Sequence, residues 1–485
     1  MHLESWESAP RSVKFAVWAA ACFAALFWIR SHLADFRNTT YLGGLILVQI
    51  VLASLWHFEV VFFPLLMCSF LWAGMSVPFS GVATTARWFV LAVAALAGFA
   101  IWMRERRHTY TAFHLVALFC VVAGLVSSIQ SADPTTSLLK VLSLFLLFLY
   151  GATGARLALL GREAAFVHGL LLGCEIIVYL TASAYFGAGM PIFGNANSLG
   201  AVMGVAIVPV LLWGYMIAET RSERYRRLGA LGTAGTLLYL SVCRAGMLAA
   251  AVSVLTLCVA LRRQRLLIKG AFFILLVLAF AAMLNPAHFD DFVGAVTSNV
   301  VYKGKRDQGL MGSRKTPWEE TLAVVKEHPW FGSGFGTSDL GQWAKRSTLS
   351  LSSAAGGLYT PEGTNREHGN SYLALAEYMG LLGMLPFVAL LFLSVRMIVR
   401  VCSWMRRTAD PYHCAVPLAM VLLAGMVHAF FEDWLIAAGY YLCVFFWITA
   451  FWLTDVMPVS IPAVARTAAQ LQAFHPPGAA PVPDR

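Results

Sequence analysis

Apolar residues along this chain come in unbroken blocks, not in the stripes of a helix that buries one face. The blocks run roughly 18–23 residues with few charges, the length an α-helix needs to cross about 30 Å of hydrocarbon. They lie near 12–29, 41–56, 59–78, 87–103, 110–129, 136–158, 163–185 and 196–217, then near 228–243, 246–262, 266–284, 371–399, 414–430 and 434–454. The pattern predicts an all-α, polytopic membrane protein of about 12–14 transmembrane helices, the lower number holding if closely joined neighbours are broken or re-entrant helices. Two such neighbours meet around His57 and around Arg244.

One long polar interruption, 285–367, separates the last three blocks from the rest. A structureless loop of that length is uncommon inside a folded chain, so structure or function is expected there. Thr316-Pro317-Trp318-Glu319 reads as a capping box with Pro at the first helical position. It predicts a helix from Trp318 to Glu327 that stops before His328-Pro329, with Arg314 just ahead of it. A Gly-rich run, 332–336, and a Ser/Gly stretch, 347–363, follow, which suggests a small helical cap with a mobile lid. The organisation expected is therefore an N-terminal bundle over 1–284, a cap over 285–367, C-terminal transmembrane helices over 368–456, and a Pro/Ala-rich disordered tail over 457–485.

Composition removes the alternatives. The 485 residues are 59% hydrophobic and only 12% charged, where soluble domains are about half apolar and roughly a quarter charged. A soluble enzyme, a disordered chain and a fibre are excluded. Net charge is +10, but the arginines fall in short connections: 104, 106 and 107; 221, 224, 226 and 227; 262, 263 and 265; 400, 406 and 407. That is a cytoplasmic-loop pattern with contact to membrane lipids, and it gives no reason to expect nucleic acid. With an even span count both termini are cytoplasmic. The apolar run beginning near Phe15 is expected to be an uncleaved first span. Nine cysteines without CxxC or metal-type spacing predict neither a disulfide framework nor a zinc site.

The same topology puts 194–198, 243–245, 285–367 and 431–433 on the opposite, outward face. Arg244 stands there between two apolar stretches, either snorkelling to the interface or retained for an anionic ligand. Arg314, followed by Lys315, precedes a capped helix, where charge and dipole together favour an anion, although loop arginines are common. His368 sits where the polar segment meets the next span, with Asn370 as that helix's N-cap. It is a structural imidazole or one placed for proton transfer from a hydroxyl. His428 and Glu432, one helical turn apart with Asp433 next, are polar residues of a helix end or substrate ligands. The Gly-rich run lacks the Lys-Ser/Thr of a phosphate loop and reads as turn glycines.

Together these pieces resemble the O-antigen ligase and O-antigen polymerase superfamily of bacterial membrane glycosyltransferases. Gly194-Asn195-Ala196-Asn197-Ser198-Leu199-Gly200 is similar to its Asn-containing span start. Ser241-Val242-Cys243-Arg244-Ala245-Gly246 is similar to its Ser-x-Ser-Arg-Gly element, with Cys243 and Ala245 departing from it. Arg314 through Trp318 and His328 through Gly334 resemble its Arg…Trp…His-Pro-x-x-Gly-x-Gly stretch. His368-Gly369-Asn370-Ser371-Tyr372-Leu373, with Glu377, Gly380 and Gly383, resembles its His-Asn-Ser-Tyr-Leu…Glu-x-Gly-x-x-Gly signature with Gly369 inserted.

The resemblance, over about 194–455, implies a glycosyltransferase C-type fold in the bacterial inner membrane with a periplasmic active site. The implied donor is a glycan on undecaprenyl pyrophosphate, and the acceptor is lipid A–core or another lipid-linked glycan. No metal or other cofactor is expected. Arg244 and Arg314 are then expected to hold the pyrophosphate, and His368 to orient or deprotonate the acceptor, with Glu367 beside it. Asn197, Lys315, Asn370, Tyr372 and Glu432 are expected to bind substrate. Ligase and polymerase share every one of these features. A protein O-oligosaccharyltransferase is a third possibility within the family, and a secondary transporter is the competitor from outside it. Trp434 and Gly439 hint at exopolysaccharide-type polymerases.

Overall fold

Short polar residues start the helices by supplying acceptors to amides that have no partner inside the helix. Asp133 accepts from the Thr136 amide at 3.1 Å ahead of Pro134. Thr220 accepts from Glu223 at 3.1 Å, and Asn195 from Asn197 at 2.8 Å. Asn370 caps as the sequence predicts, accepting from Tyr372 at 2.8 Å and Leu373 at 3.2 Å.

A computed structural model describes residues 39–77, 80–104, 110–284, 294, 312–337 and 368–458. Its helices are α1 Thr39–Ser54, α2 Phe58–Ala73, α3 Ser80–Trp102, α4 Ala112–Ile129, α5 Pro134–Ala152, α6 Gly154–Leu157, α7 Glu163–Ala182 and α8 Ala196–Ala201. They continue as α9 Val208–Ile217, α10 Arg221–Leu240, α11 Arg244–Ala260, α12 Gln264–Leu284, α13 Gly312–Glu327, α14 Ser371–Thr408, α15 Ala415–Ala429 and α16 Tyr441–Asp455. Among the described residues there is no strand, and seven helical runs are long and apolar enough to cross a membrane; α11, α15 and α16 are shorter apolar helices. The protein is an all-α, polytopic membrane protein. The first expected span, the lid stretch, Glu367 and the tail beyond 458 lie outside the described residues.

Four expectations change. The pair expected around His57 is one apolar run, Leu47–Ala73, with a 3-10 turn at Leu55–His57. His57 leaves the helical region (φ −126°, ψ 48°), so the run is broken at that junction. The cap helix α13 begins at Gly312, not Trp318, which puts Arg314 inside its first turn. Pro317 is tolerated so near the start because it forfeits a single backbone bond and fixes φ at a helical value. The last helix starts at Tyr441, not near 434, and 430–440 forms a turn on the way to it.

The fourth change is inside α14, which breaks at Gly380 (φ 62°, ψ −176°). In an unbroken helix the Leu381 and Leu382 amides would bond to the carbonyls of Glu377 and Tyr378. Here they bond instead to Pro329 O at 2.8 Å and Trp330 O at 3.1 Å. The stranded carbonyls are taken by the amides of Ser333 at 2.9 Å and Gly334 at 3.2 Å. The Gly-rich run is thus a splice that satisfies the broken helix, as buried non-helical backbone requires. Gly380 is obligatory, because a side chain would collide with the Trp330–Phe331 peptide.

Helices meet through small residues, which lets backbones approach closely. Gly98 abuts Gly154, and Gly200 and Gly204 abut Cys243 and Gly246. A π-helical turn, Val202–Ile207, lies between α8 and α9 at that contact. On α4, Phe113, Ala117, Cys120 and Val121 are buried while Leu115, Leu118, Phe119 and Val122 face outward. Apolar residues on both faces mark a helix packed on one side and solvated by lipid on the other. At the end of the bundle away from Asn370, Arg156 donates to both oxygens of Asp455, Nε at 2.7 Å and Nη2 at 2.5 Å, and its guanidinium lies 4.3 Å from the Trp102 ring centre.

Candidate functional site

At the opposite end, the chain entering α14 meets the turn between α15 and α16. His368 is fully buried between two carboxylates. Its Nδ1 lies 3.1 Å from Asp433 Oδ2, and its own amide donates to the same oxygen at 2.8 Å. Nε2 lies 3.2 Å from Glu377 Oε1, at ion-pair distance but without hydrogen-bond alignment. Tyr378 packs edge-on against the imidazole at 5.0 Å between ring centres. Burial alone would push the His368 pKa down, but the adjoining Asp433 and Glu377 carboxylates override it and hold it above the ordinary histidine value. Burial would likewise raise the Asp433 carboxyl, and the bonds from His368 hold it below the usual range.

The break at Gly380 and the cap at Asn370 make this arrangement. Asn370 sets the register that turns Glu377 inward, and the splice pins the carbonyls of Glu377 and Tyr378. The turn is fastened independently. Ser371 Oγ donates to Glu432 O at 2.6 Å and accepts from the Leu435 amide at 3.1 Å. Trp447 Nε1 donates to Leu435 O at 2.7 Å.

Arg314 reaches the same place from α13. Its Nη2 pairs with Glu432 Oε1, and Gly369 (φ 63°) presents bare backbone to the guanidinium. A Cβ there would stand 2.9 Å from Arg314 Nη1, so the residue inserted into the signature has to be Gly. Trp318 Nε1 donates to Gly369 O at 3.3 Å and anchors the cap helix to the His368 backbone.

Arg244 is the first residue of α11, half-buried, and its helix is capped by Cys243, whose Sγ accepts from the Gly246 amide at 3.4 Å. The Cys243 side chain meets Gly200 of α8, and Tyr441 Oη donates to Ser198 O at 3.1 Å. The starts of α8, α11, α14 and α16 therefore converge. Between them a cleft of about 330 Å³ is lined by Asn197, Ser198, His428, Glu432, Asp433 and Tyr440.

A second cleft, of about 790 Å³, lies on the other side of the same turn and shares Asp433, Ala437 and Tyr440 with the first. Its walls are mostly apolar, with two cations, Arg87 and Lys140. Arg87 Nη1 donates to Gly439 O at 2.6 Å, and Lys140 Nζ to Gly336 O. Among the described residues, Asp433, with a quarter of its side chain exposed, is the one group that touches His368 and lines both clefts.

The candidates named from sequence are thus distributed as follows. His368, Arg314, Asn370 and Glu432 come together, and Asn197 lines the smaller cleft along with Glu432. Arg244 stands at the same end of the bundle, at the α8–α11 contact. The Tyr372 hydroxyl donates to Met426 O at 2.8 Å, and Lys315 is exposed, 3.9 Å from Glu319. His428 accepts from Trp434 Nε1 at 2.8 Å. Asp433 as the imidazole's partner was not legible, and neither were Arg87 and Lys140. For Lys140 a signal existed, a cation well inside an apolar block, where a charge is usually retained for a reason. Among the described residues no group of three or more His, Cys, Asp or Glu is arranged to hold a metal ion.

Residues 228–388 match the family model described as O-antigen ligase. The match covers about a third of the chain and supports its likeness to the O-antigen ligase and polymerase superfamily, whose members are membrane glycosyltransferase-like enzymes. The matched stretch includes Arg244, Arg314, His368 and Glu377 and ends before Glu432 and Asp433, which complete the cluster. No curated protein matches the chain.

Proposed function

We propose that the chain is an O-antigen ligase-type glycosyltransferase, moving a glycan from undecaprenyl pyrophosphate to a hydroxyl of lipid A–core at the periplasmic face of the inner membrane. The bond that breaks joins the anomeric carbon to the pyrophosphate oxygen, and the bond that forms joins that carbon to the acceptor oxygen. The acceptor's proton passes to the enzyme, and undecaprenyl pyrophosphate leaves carrying the bonding pair.

The observation that carries this reading is the buried His368 held between Asp433 and Glu377, with Asp433 reaching both clefts. Two clefts sharing one carboxylate suit two substrates that must meet. An acceptor hydroxyl in either cleft reaches Asp433 first, and the imidazole behind it shares the proton. Arg314, with Arg244 at the start of α11, supplies positive charge for the leaving pyrophosphate, a role that preplaced guanidinium groups fill well. Glu432 holds Arg314 in place until the donor arrives. The mostly apolar walls of the larger cleft suit a lipid-borne substrate.

Deleting the gene in its host and separating the surface polysaccharide on a gel tests the reading. Bare lipid A–core with free polymer is the expected result. Single-repeat material would reassign the chain to polymerisation within the same superfamily. Unchanged glycans with a lost solute-uptake activity would defeat the glycosyltransferase reading.

A further inference from the structure

At the end of the bundle away from His368, four arginines open onto one cavity. It measures about 620 Å³ and is lined by Arg224 of α10, by Arg262, Arg263 and Arg265 of the α11–α12 connection, and by Tyr215 and Leu266. Arg244 opens α11 beside the candidate site, and Arg262 lies just past its other end, roughly 25 Å away at 1.5 Å per residue.

Among the described residues no carboxylate lines the cavity. Neighbouring arginines do have acidic partners: Arg226 pairs with Glu175 at 3.1 Å, and Arg227 with Glu223 at 3.8 Å. Among the described residues, none pairs with Arg224, Arg262, Arg263 or Arg265, and Arg224 donates only to Ala218 O at 3.2 Å. The connection is also bent into shape. Arg262 adopts φ 56°, a left-handed conformation that a non-glycine residue enters at a cost. The Arg263 amide bonds back to Cys258 O at 2.7 Å. Like charges gathered by a strained turn repel unless an anion joins them.

The helix rising from this cavity identifies the anion's carrier. Ile268, Phe272, Leu275 and Phe280 of α12 are exposed and apolar, a surface solvated by lipid chains. We propose that the cavity binds the phosphate headgroup of an anionic membrane phospholipid, whose acyl chains lie along α12. Arginine forks supply the phosphate contacts and the Tyr215 and Leu266 side chains the wall beside the glycerol. Scattered cytoplasmic arginines orient a chain by charge alone, whereas this site requires position, and that difference is measurable.

The test uses the purified full-length chain in nanodiscs mixing phosphatidylglycerol and phosphatidylcholine, with retained lipid counted by native mass spectrometry. The unmodified protein is expected to retain phosphatidylglycerol selectively. Arg263→Gln with Arg265→Gln should weaken that retention by about tenfold, the loss of roughly one charge-assisted contact. Arg406→Gln with Arg407→Gln removes the same charge from exposed residues on the same face and should leave retention unchanged. Equal retention of the two lipids by the unmodified protein overturns the proposal without any variant having to fold. So does an equal loss in both double variants. Displacement of the lipid by millimolar inorganic phosphate would reassign the site to a soluble phosphate.

Discussion

Two arginine–carboxylate pairs stand at opposite ends of this bundle, and their surroundings differ. Arg156 and Asp455 are joined by two hydrogen bonds, with side-chain exposures of 0% and 7%, and the guanidinium is roofed by Trp102. Arg314 and Glu432 join a cap helix to a turn, at 14% and 15% exposure, beside bare glycine backbone and at the edge of a cleft. The first pair is closed off and ties α6 to the end of α16. The second is reachable. One ion pair serves architecture and the other leaves a guanidinium where a ligand can compete for it, and burial decides which is which.

The comparison can be broken at either pair. Arg156→Ala strands a buried carboxylate and should cost about 3–5 kcal/mol, read as a large fall in thermal unfolding temperature in detergent. Arg314→Gln should leave that temperature nearly unchanged while lowering glycan transfer by about a hundredfold, the effect of removing one preplaced donor. If Arg314→Gln unfolded the protein and Arg156→Ala only slowed it, the division would be reversed.

A finer contrast lies in Asp433. With the His368 pKa held above its ordinary value, the imidazole stays protonated to a higher pH, and a rate that needs the neutral ring falls as pH drops through that value. Asp433→Asn removes the carboxylate nearest the acceptor and one of the two that raise the imidazole, so transfer should fall and the acid limb of the remaining rate should move to lower pH. An unmoved limb would mean that another group titrates there. The smallest expected effect is that of a chelator. If guanidinium groups carry the leaving pyrophosphate, transfer in EDTA should stay within about twofold of the untreated rate, and a steep loss would require a divalent ion.

Much of the fold was legible because membrane spans are written in local composition. The segment around Pro134–Leu157 and the Asn370 cap needed only their own neighbourhoods. The site was legible in its parts and not in its pairing. His368 was identifiable at the junction, but Asp433 lies 65 residues away and Glu377 in the following helix, and no periodicity links them. Gly380 was invisible as a break, because Gly-Leu-Leu-Gly inside an apolar run reads as ordinary small-residue packing. Only the loop at 329–334, folded against it, shows that the helix is interrupted. The position of Arg314 was misread for a related reason, since a capping motif marks a permitted helix start and not a compulsory one.

The four-bond splice at Gly380 has a mechanical consequence. The loop that follows the cap helix supplies the missing rungs of a core helix, so at that seam the outer piece and the bundle are stitched together. A load on the cap is passed straight to the Glu377 carbonyl, and from that residue to the imidazole it flanks. Force on the outside of the cap would therefore be felt at the buried imidazole.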